Sequence, residues 1–218
     1  MKYKILIFSV TLLNLLNHST HLTFAQEQGQ FGASINIAYS QPIGGLSNWF
    51  KAAPNYGIAF GQQYNEKWFI GGVVEFSRYD RENLSGYPKG KLDLLLEHYS
   101  LMVSGKYELM RTGLIKPYFN IAAGLVQWKG VRGEIQADAS IIPVVPYIEE
   151  KKLLETNWGF RSGLGLEVSF MQNLSMDFLA YYRFIVGDLW PTLQPNIELE
   201  GVSGFQTLNL GLAFRYYF

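Results

Sequence analysis

The sequence predicts an all-β fold, a closed antiparallel barrel of eight strands, and three observations support the prediction. Many segments alternate between large apolar and small or polar residues, which is the period of a β-strand. Glycine and aromatic residues are abundant, with 22 Gly, 15 Phe, 14 Tyr and 5 Trp, as in strands joined by tight turns. The connections between the alternating segments are short and long in turn.

The C-terminal segment has the clearest alternation. Its large apolar side chains fall on one face: Leu208, Leu210, Leu212, Phe214, Tyr216 and Phe218. The other face carries Thr207, Asn209, Gly211, Ala213, Arg215 and Tyr217. The same period-two pattern recurs in 31–39, 158–168 and 174–184.

The second face favours a membrane barrel over a soluble one. A soluble barrel places long charged or hydroxyl side chains toward water, whereas this face is largely Gly, Ala, Ser and Asn. Small residues suit a narrow lumen, and large apolar residues suit a surface in lipid. We therefore expect the apolar face to point outward. Alternation alone leaves a soluble β-sandwich as the alternative.

Eight strands are predicted, an even number that closes with both termini on one side. They cover residues 30–40, 54–64, 67–79, 95–109, 116–130, 154–169, 174–187 and 204–218. Three connections are short (64–67, 110–115 and 170–173) and four are long (41–53, 80–94, 131–153 and 188–203). This asymmetry predicts short periplasmic turns and four longer extracellular loops.

The first 25 residues have the pattern of a secretory signal peptide. Lys2 and Lys4 precede an apolar run from 5 to 16, and Thr23-Phe24-Ala25 provides a small-x-small cleavage site. Cleavage after Ala25 would divide the chain into a signal peptide, 1–25, and a barrel domain, 26–218. A membrane anchor is the alternative, but the run is shorter than the roughly 20 residues that a spanning helix needs.

Composition excludes several classes of site. Without cysteine the chain has no disulfide scaffold, zinc–thiolate site, iron–sulfur cluster or thiol nucleophile. With 18 basic and 18 acidic residues it has no charge excess that would indicate a nucleic-acid partner. It contains no phosphate-binding glycine loop and no metal-ligand spacing. We therefore expect no cofactor and no metal.

Charged residues with inward parity are equally divided by sign. They are Glu75, Lys106, Glu108, Arg161, Glu167, Asp177, Arg183 and Arg215. Such a balance suits a closed interior, because a buried charge is tolerable only when paired. Since side chains nearly fill an eight-stranded barrel, we expect a lumen largely plugged by them. Asp177 and Arg215 are predicted to form an ion pair near the periplasmic end.

Aromatic residues near the strand ends are predicted to form two interfacial girdles. They include Tyr39, Trp68, Tyr118, Trp128, Trp158 and Phe218. The long loops carry apolar residues beside prolines, in 141–147 and at Trp190-Pro191 and Gln194-Pro195. A possible extracellular partner is therefore expected at loops 131–153 and 188–203, although a cap packed on its own barrel is the alternative.

The signal peptide, the eight strands and the closing Phe214-Arg215-Tyr216-Tyr217-Phe218 resemble the outer-membrane protein β-barrel domain family, which is similar in architecture to the OmpA transmembrane domain, OmpX and OmpW. The resemblance implies outer-membrane localisation in contact with lipids and lipopolysaccharide. It also implies that the barrel-assembly machinery reads the last strand through Phe218. It carries no catalytic residue.

The sequence leaves three functions open. The leading one is a non-enzymatic structural or surface-interaction protein, and the second is an OmpW-like narrow conduit for small or apolar solutes. The third is a lipid A-modifying hydrolase, because His98-Tyr99-Ser100 places an imidazole and a hydroxyl on one face. This triplet resembles the His-x-Ser pair of the outer-membrane lipid A deacylase, with Glu97, Glu108 or another inward carboxylate as the group that would orient the ring. A structural histidine at a strand end is the simpler interpretation.

Overall fold

The barrel is closed, with each strand antiparallel to its neighbours and the last strand paired with the first. The computed structural model describes residues 29–83, 93–110, 114–134, 136, 147, 149–189 and 202–218. The strands are β1 (Phe31–Ile43), β2 (Ala53–Gln63), β3 (Trp68–Tyr79), β4 (Leu95–Glu108), β5 (Ile115–Arg132), β6 (Lys151–Met171), β7 (Leu174–Leu189) and β8 (Val202–Tyr217). A short 3-10 helix, Gly44–Asn48, follows β1. No helix in the described ranges is long and apolar enough to cross a membrane.

The eight predicted strands are confirmed, and the soluble sandwich is wrong. β5 and β6 extend farther at the end that carries the long connections, called here the loop end, where Arg132 pairs with Lys151. The opposite end is called the turn end. There the ring closes through Phe31 and Phe218, each of which donates its backbone N–H to the carbonyl of the other, at 3.1 and 2.9 Å. The predicted signal peptide, 1–25, lies outside the described residues.

The register of the strands fixes the width of the barrel. Following paired residues around the sheet from Arg215 leads back to β8 at Phe205, ten residues nearer the loop end. The residues passed are Ser34, Ala59, Val73, Met102, Gly124, Gly159 and Ile185. With strands about 4.7 Å apart and a rise of about 3.3 Å per residue, this stagger gives a tilt of about 41° and a radius of about 8 Å. The lumen is therefore only wide enough for side chains from opposite walls to meet.

One seam of the wall is incomplete at the loop end. The β6–β7 ladder has Gly159 and Ile185 as its outermost pair, and no pair in the described residues joins 151–158 to β7 beyond it. A register shift between Ile185 and Asp188 on β7 occurs at the same level, opposite Gly204, whose φ is +77°. A bulge bends its strand. The bulge therefore accounts for the separation of β7 from β6 on the loop-end side of Ile185.

Two glycines allow β2 and β3 to approach each other closely. Gly61 and Gly71 are cross-strand partners, and a Cβ placed on Gly71 would lie 2.2 Å from the carbonyl oxygen of Phe60 and 2.7 Å from the Cα of Gly61. The next residue, Gly72, has more room, because its Cβ would lie 3.9 Å from its nearest neighbour, the carbonyl oxygen of Met102.

Gly71→Ala is expected to destabilise the folded barrel by about 1–3 kcal/mol, since the added methyl group overlaps backbone that must shift. Gly72→Ala, the matched control one residue away, should change the free energy of unfolding by less than about 0.5 kcal/mol. Urea titration of the barrel in lipid vesicles measures both. Equal effects of the two substitutions would contradict the close approach of β2 and β3.

Candidate functional site

The outer surface of the barrel is a continuous apolar band. Many large apolar side chains are exposed by half or more, among them Ile58 at 60%, Leu101 at 64% and Val103 at 69%. Leu101 and Val103 alternate with the lumen-facing Lys106 and Glu108 on β4, as the sequence pattern predicted. A solvent-exposed surface of this extent is unsuited to water, whereas it matches the lipid-facing band of transmembrane barrels.

Aromatic side chains border the band, although not all of those predicted. Tyr39, Trp158 and Phe218 are each 58% exposed. The prediction for Tyr118 and Trp128 is wrong, because they are buried inside the barrel, at 2% and 0% exposure. Even-numbered residues of β5 face the lumen, so residue type was a poorer guide on this strand than parity.

Two layers of ion pairs cross the lumen, and the first lies near the turn end. In this turn-side layer Arg215 Nη2 lies 3.1 Å from Asp177 Oδ2, so the predicted pair is confirmed. Lys106 contacts Glu167 directly and lies 4.0 Å from Asp177 Oδ1. The hydroxyl of Tyr217 donates to Glu167 at 3.1 Å. Basic and acidic side chains from four strands thus neutralise one another here.

The second layer is centred on Glu75, farther toward the loop end. Its carboxylate accepts hydrogen bonds from Arg161 Nη1 at 2.9 Å and from Arg183 Nη2 at 2.5 Å. The Tyr181 hydroxyl and the Asn55 side-chain amide also donate to it, at 3.1 and 3.2 Å. One carboxylate on β3 therefore holds two guanidinium groups that come from β6 and β7 across the barrel.

All eight charges predicted to face inward do so, and two more were missed. Lys116 and Arg132 are buried at 3% and 2% exposure, and both lie at even positions of β5. The signal that would have found them is the run of small residues at Ala122 and Gly124, which marks the lumen side of this strand. Arg132 Nη2 donates to the carbonyl of Glu149 at 3.0 Å.

His98 and Ser100 share the lumen face, as predicted, and are buried at 1% and 2% exposure. His98 Nε2 lies 2.7 Å from Arg183 Nη1. Because a guanidinium only donates, this nitrogen accepts, and its lone pair is not available as a base for the serine. Glu97 is bonded to Arg78 on the outside, at 3.1 Å. His98 Nε2 and Glu97 are therefore both engaged by arginines and do not have the roles that the hydrolase hypothesis gives them.

An apolar cluster lies in the lumen at the loop end. In this outer apolar cluster Trp128 packs edge-on against Phe205, with ring centroids 4.9 Å apart. Leu46 and Phe50, from the 3-10 helix and the residues after it, are buried at 1% and 0% exposure. Leu94, Leu96, Ile185 and Leu189 also belong to it. The first long connection thus folds back over the mouth of the barrel.

The described part of the third long connection is polar and exposed. The hydroxyl of Tyr147 donates to Glu134 Oε2 at 3.2 Å, and the carboxylate raises the pKa of Tyr147 because it disfavours a second negative charge. The apolar residues 141–146, Trp190-Pro191 and Gln194-Pro195, for which a partner or a cap was predicted, lie outside the described residues.

A closed ring of eight tilted strands, an apolar exterior and a charged lumen together define the fold of a transmembrane β-barrel. No family model matches the chain, and no curated protein matches it. Among solved structures it is similar to Neisserial surface protein A, with a TM-score of 0.55 and 16% identity over 86% of this chain and 97% of that one.

A major outer membrane protein from Thermus thermophilus is also similar, with a TM-score of 0.50 and 12% identity over 86% of this chain and 99% of that one. At such identities the likeness concerns the fold alone. It confirms the expected resemblance to outer-membrane β-barrels at that level.

Arg215→Ala is expected to destabilise the barrel by about 3–5 kcal/mol if the turn-side layer is dry, because Asp177 then remains buried without its guanidinium. The double variant with Asp177→Ala should recover part of the loss. Urea unfolding of the four proteins of this cycle gives the coupling energy. Strictly additive effects would mean that the two side chains do not interact.

Leu164→Arg should destabilise the barrel by about 2–4 kcal/mol, the cost of arginine on the lipid face near the bilayer midplane. Leu154→Arg is the matched control on the same strand. Both leucines point outward, at 59% and 67% exposure, but Leu154 lies ten residues nearer the loop end. In lipid vesicles Leu154→Arg should lower the free energy of unfolding much less than Leu164→Arg does. Equal losses would contradict a bilayer around the apolar band.

Proposed function

We propose that the protein is an integral outer-membrane barrel with a structural or surface-interaction role and without enzymatic activity. The observation that carries this proposal is the pairing of a lipid-facing apolar band with a lumen crossed by two layers of ion pairs. Such a lumen, closed by the outer apolar cluster, is expected to conduct neither ions nor polar solutes. Interaction is then left to the surfaces at the loop end.

The proposal includes export and assembly. Residues 1–25 are cleaved after Ala25, and the barrel inserts with its turns in the periplasm and its four long loops outside, among lipid and lipopolysaccharide. Phe218 is 58% exposed beside Phe31 and Phe60, with ring centroids 6.3 and 6.1 Å away. An exposed aromatic residue at the end of the closing strand supports its recognition by the barrel-assembly machinery.

Localisation and orientation are tested together in intact cells. Epitope tags in 131–153 and 188–203 should bind antibody added outside the cells, whereas a tag in 110–115 should not. The mature protein should fractionate with the outer membrane and change its gel migration on boiling. Recovery in the soluble periplasmic fraction would contradict the barrel in a membrane. Labelling of the 110–115 tag alone would mean that the turns face outside and the long loops face the periplasm.

A narrow route for small apolar solutes is the second candidate, and the incomplete β6–β7 seam favours it. Gly187 lies at this gap against Trp128 and Phe205, so the outer apolar cluster is next to the opening. Glu155, on the lumen-facing side of β6, is exposed. An apolar molecule that entered between the strands would meet the tryptophan first.

Two measurements test the candidates, and the second distinguishes them. In planar bilayers the structural proposal predicts no single-channel conductance, because paired charges fill the lumen. In nanodiscs, added hexane should leave the indole N–H resonance of Trp128 unchanged if the seam is only structural. A hexane-dependent shift of this resonance that Leu189→Trp abolishes would support the apolar route instead, and resolved conductance steps would contradict both.

A further inference from the structure

A cavity of about 50 Å³ lies in the lumen between the turn-side layer and the Glu75 layer. A single water needs about 10–15 Å³ of such volume, so the cavity has room for a small ion with one or two waters. All eight strands contribute residues to its wall. Its polar wall residues include Ser104, Lys106, Arg161 and Arg215.

The wall of this cavity is cationic. It includes three basic side chains, Lys106, Arg161 and Arg215, and no carboxylate. Lys106 is bonded to Glu167, but Arg161 Nε and both Nε and Nη1 of Arg215 are buried with no hydrogen-bond partner in the described part of the chain. Buried donors of this kind normally have an acceptor. The guanidinium groups thus present N–H donors that the protein does not satisfy.

The charges of the turn-side layer cancel, whereas those of the Glu75 layer do not. The turn-side layer, with its neighbours Lys116 and Glu108, has three basic and three acidic side chains. The Glu75 layer has two guanidinium groups, Arg161 and Arg183, that share one carboxylate. Among the described residues the other buried carboxylates are Glu108, Glu167 and Asp177, all nearer the turn end. One positive charge is therefore left over beside the cavity.

We propose that the cavity binds one small monovalent anion of the halide class, chloride in the cell, between Arg161 and Arg215. The anion accepts the unsatisfied guanidinium hydrogens and neutralises the excess charge of the Glu75 layer. A site of this size rejects larger anions such as gluconate. The ion is a structural part of the lumen, whichever function the loop end performs.

Bromide tests the site directly, because it replaces chloride and is visible by anomalous diffraction. Crystals of the wild-type barrel grown in sodium bromide should show one anomalous peak in the cavity, within hydrogen-bond distance of both guanidinium groups. Density for water alone in the cavity, or bromide only at exposed lysines, would overturn the proposal. This experiment needs no variant and so does not depend on the folding of one.

The thermal stability of the barrel in solution tests whether the bound anion stabilises the fold. The midpoint of heat-induced unfolding should be higher in sodium chloride than in sodium gluconate at equal concentration, because a ligand of the folded state stabilises it. Arg161→Gln should abolish this difference, and so should Ser104→Leu, which fills the cavity and leaves every charge in place. Arg78→Gln, which removes an exposed arginine, should retain the wild-type difference.

Three outcomes would contradict chloride binding in the cavity. A bromide peak without any chloride-dependent stability would indicate an adventitious ion only and would overturn the proposal. Loss of the chloride effect in Arg78→Gln would attribute it to general screening and would also overturn it. If Arg161→Gln fails to fold, Ser104→Leu alone carries the comparison, and a chloride effect that survives in it contradicts binding in the cavity.

Discussion

Lipid offers no hydrogen bonds to the backbone, and this constraint governs the whole molecule. A strand in lipid needs a partner on both sides, so the sheet has to close on itself. Eight strands with a stagger of ten residues close at a radius of about 8 Å, which brings opposite walls within reach of single side chains. Glu75 can therefore hold Arg161 and Arg183 from the far side of the barrel, and the contents of the lumen follow from its width.

A charged lumen also makes the register unambiguous. A slip of one residue exchanges the two faces of a strand, so that apolar side chains would enter the lumen while Glu167 or Arg183 entered lipid. Ion pairs in a low-dielectric interior contribute little net stability, yet a single unpaired member is very costly. The lumen charges thus act mainly against wrong registers, while the apolar exterior provides the affinity for the bilayer.

Most of the fold was accessible from the sequence because the period of a strand is strict. Parity alone placed the eight charges inside and brought Asp177 to Arg215. On β5 residue type is the misleading guide, because it places Tyr118 and Trp128 outside, whereas parity places both in the lumen together with Lys116 and Arg132. The convergence on Glu75 and the cavity below it depend on stagger across the barrel, which no local pattern encodes. The β6–β7 gap depends on a bulge in β7 opposite Gly204, and one glycine among 22 does not indicate it.

The closing seam has a consequence for the order of folding. The neighbours of β1 are β2, which follows it at once, and β8, which arrives last; Gly32 pairs with Tyr217 and Ile43 with Gln206. Joining segments so distant along the chain costs more loop entropy than any hairpin in the barrel. Until they meet, β1 and β8 are both open edges, competent to pair with another chain. The β1–β8 boundary is thus the place where an unclosed barrel can exchange strands with a second copy.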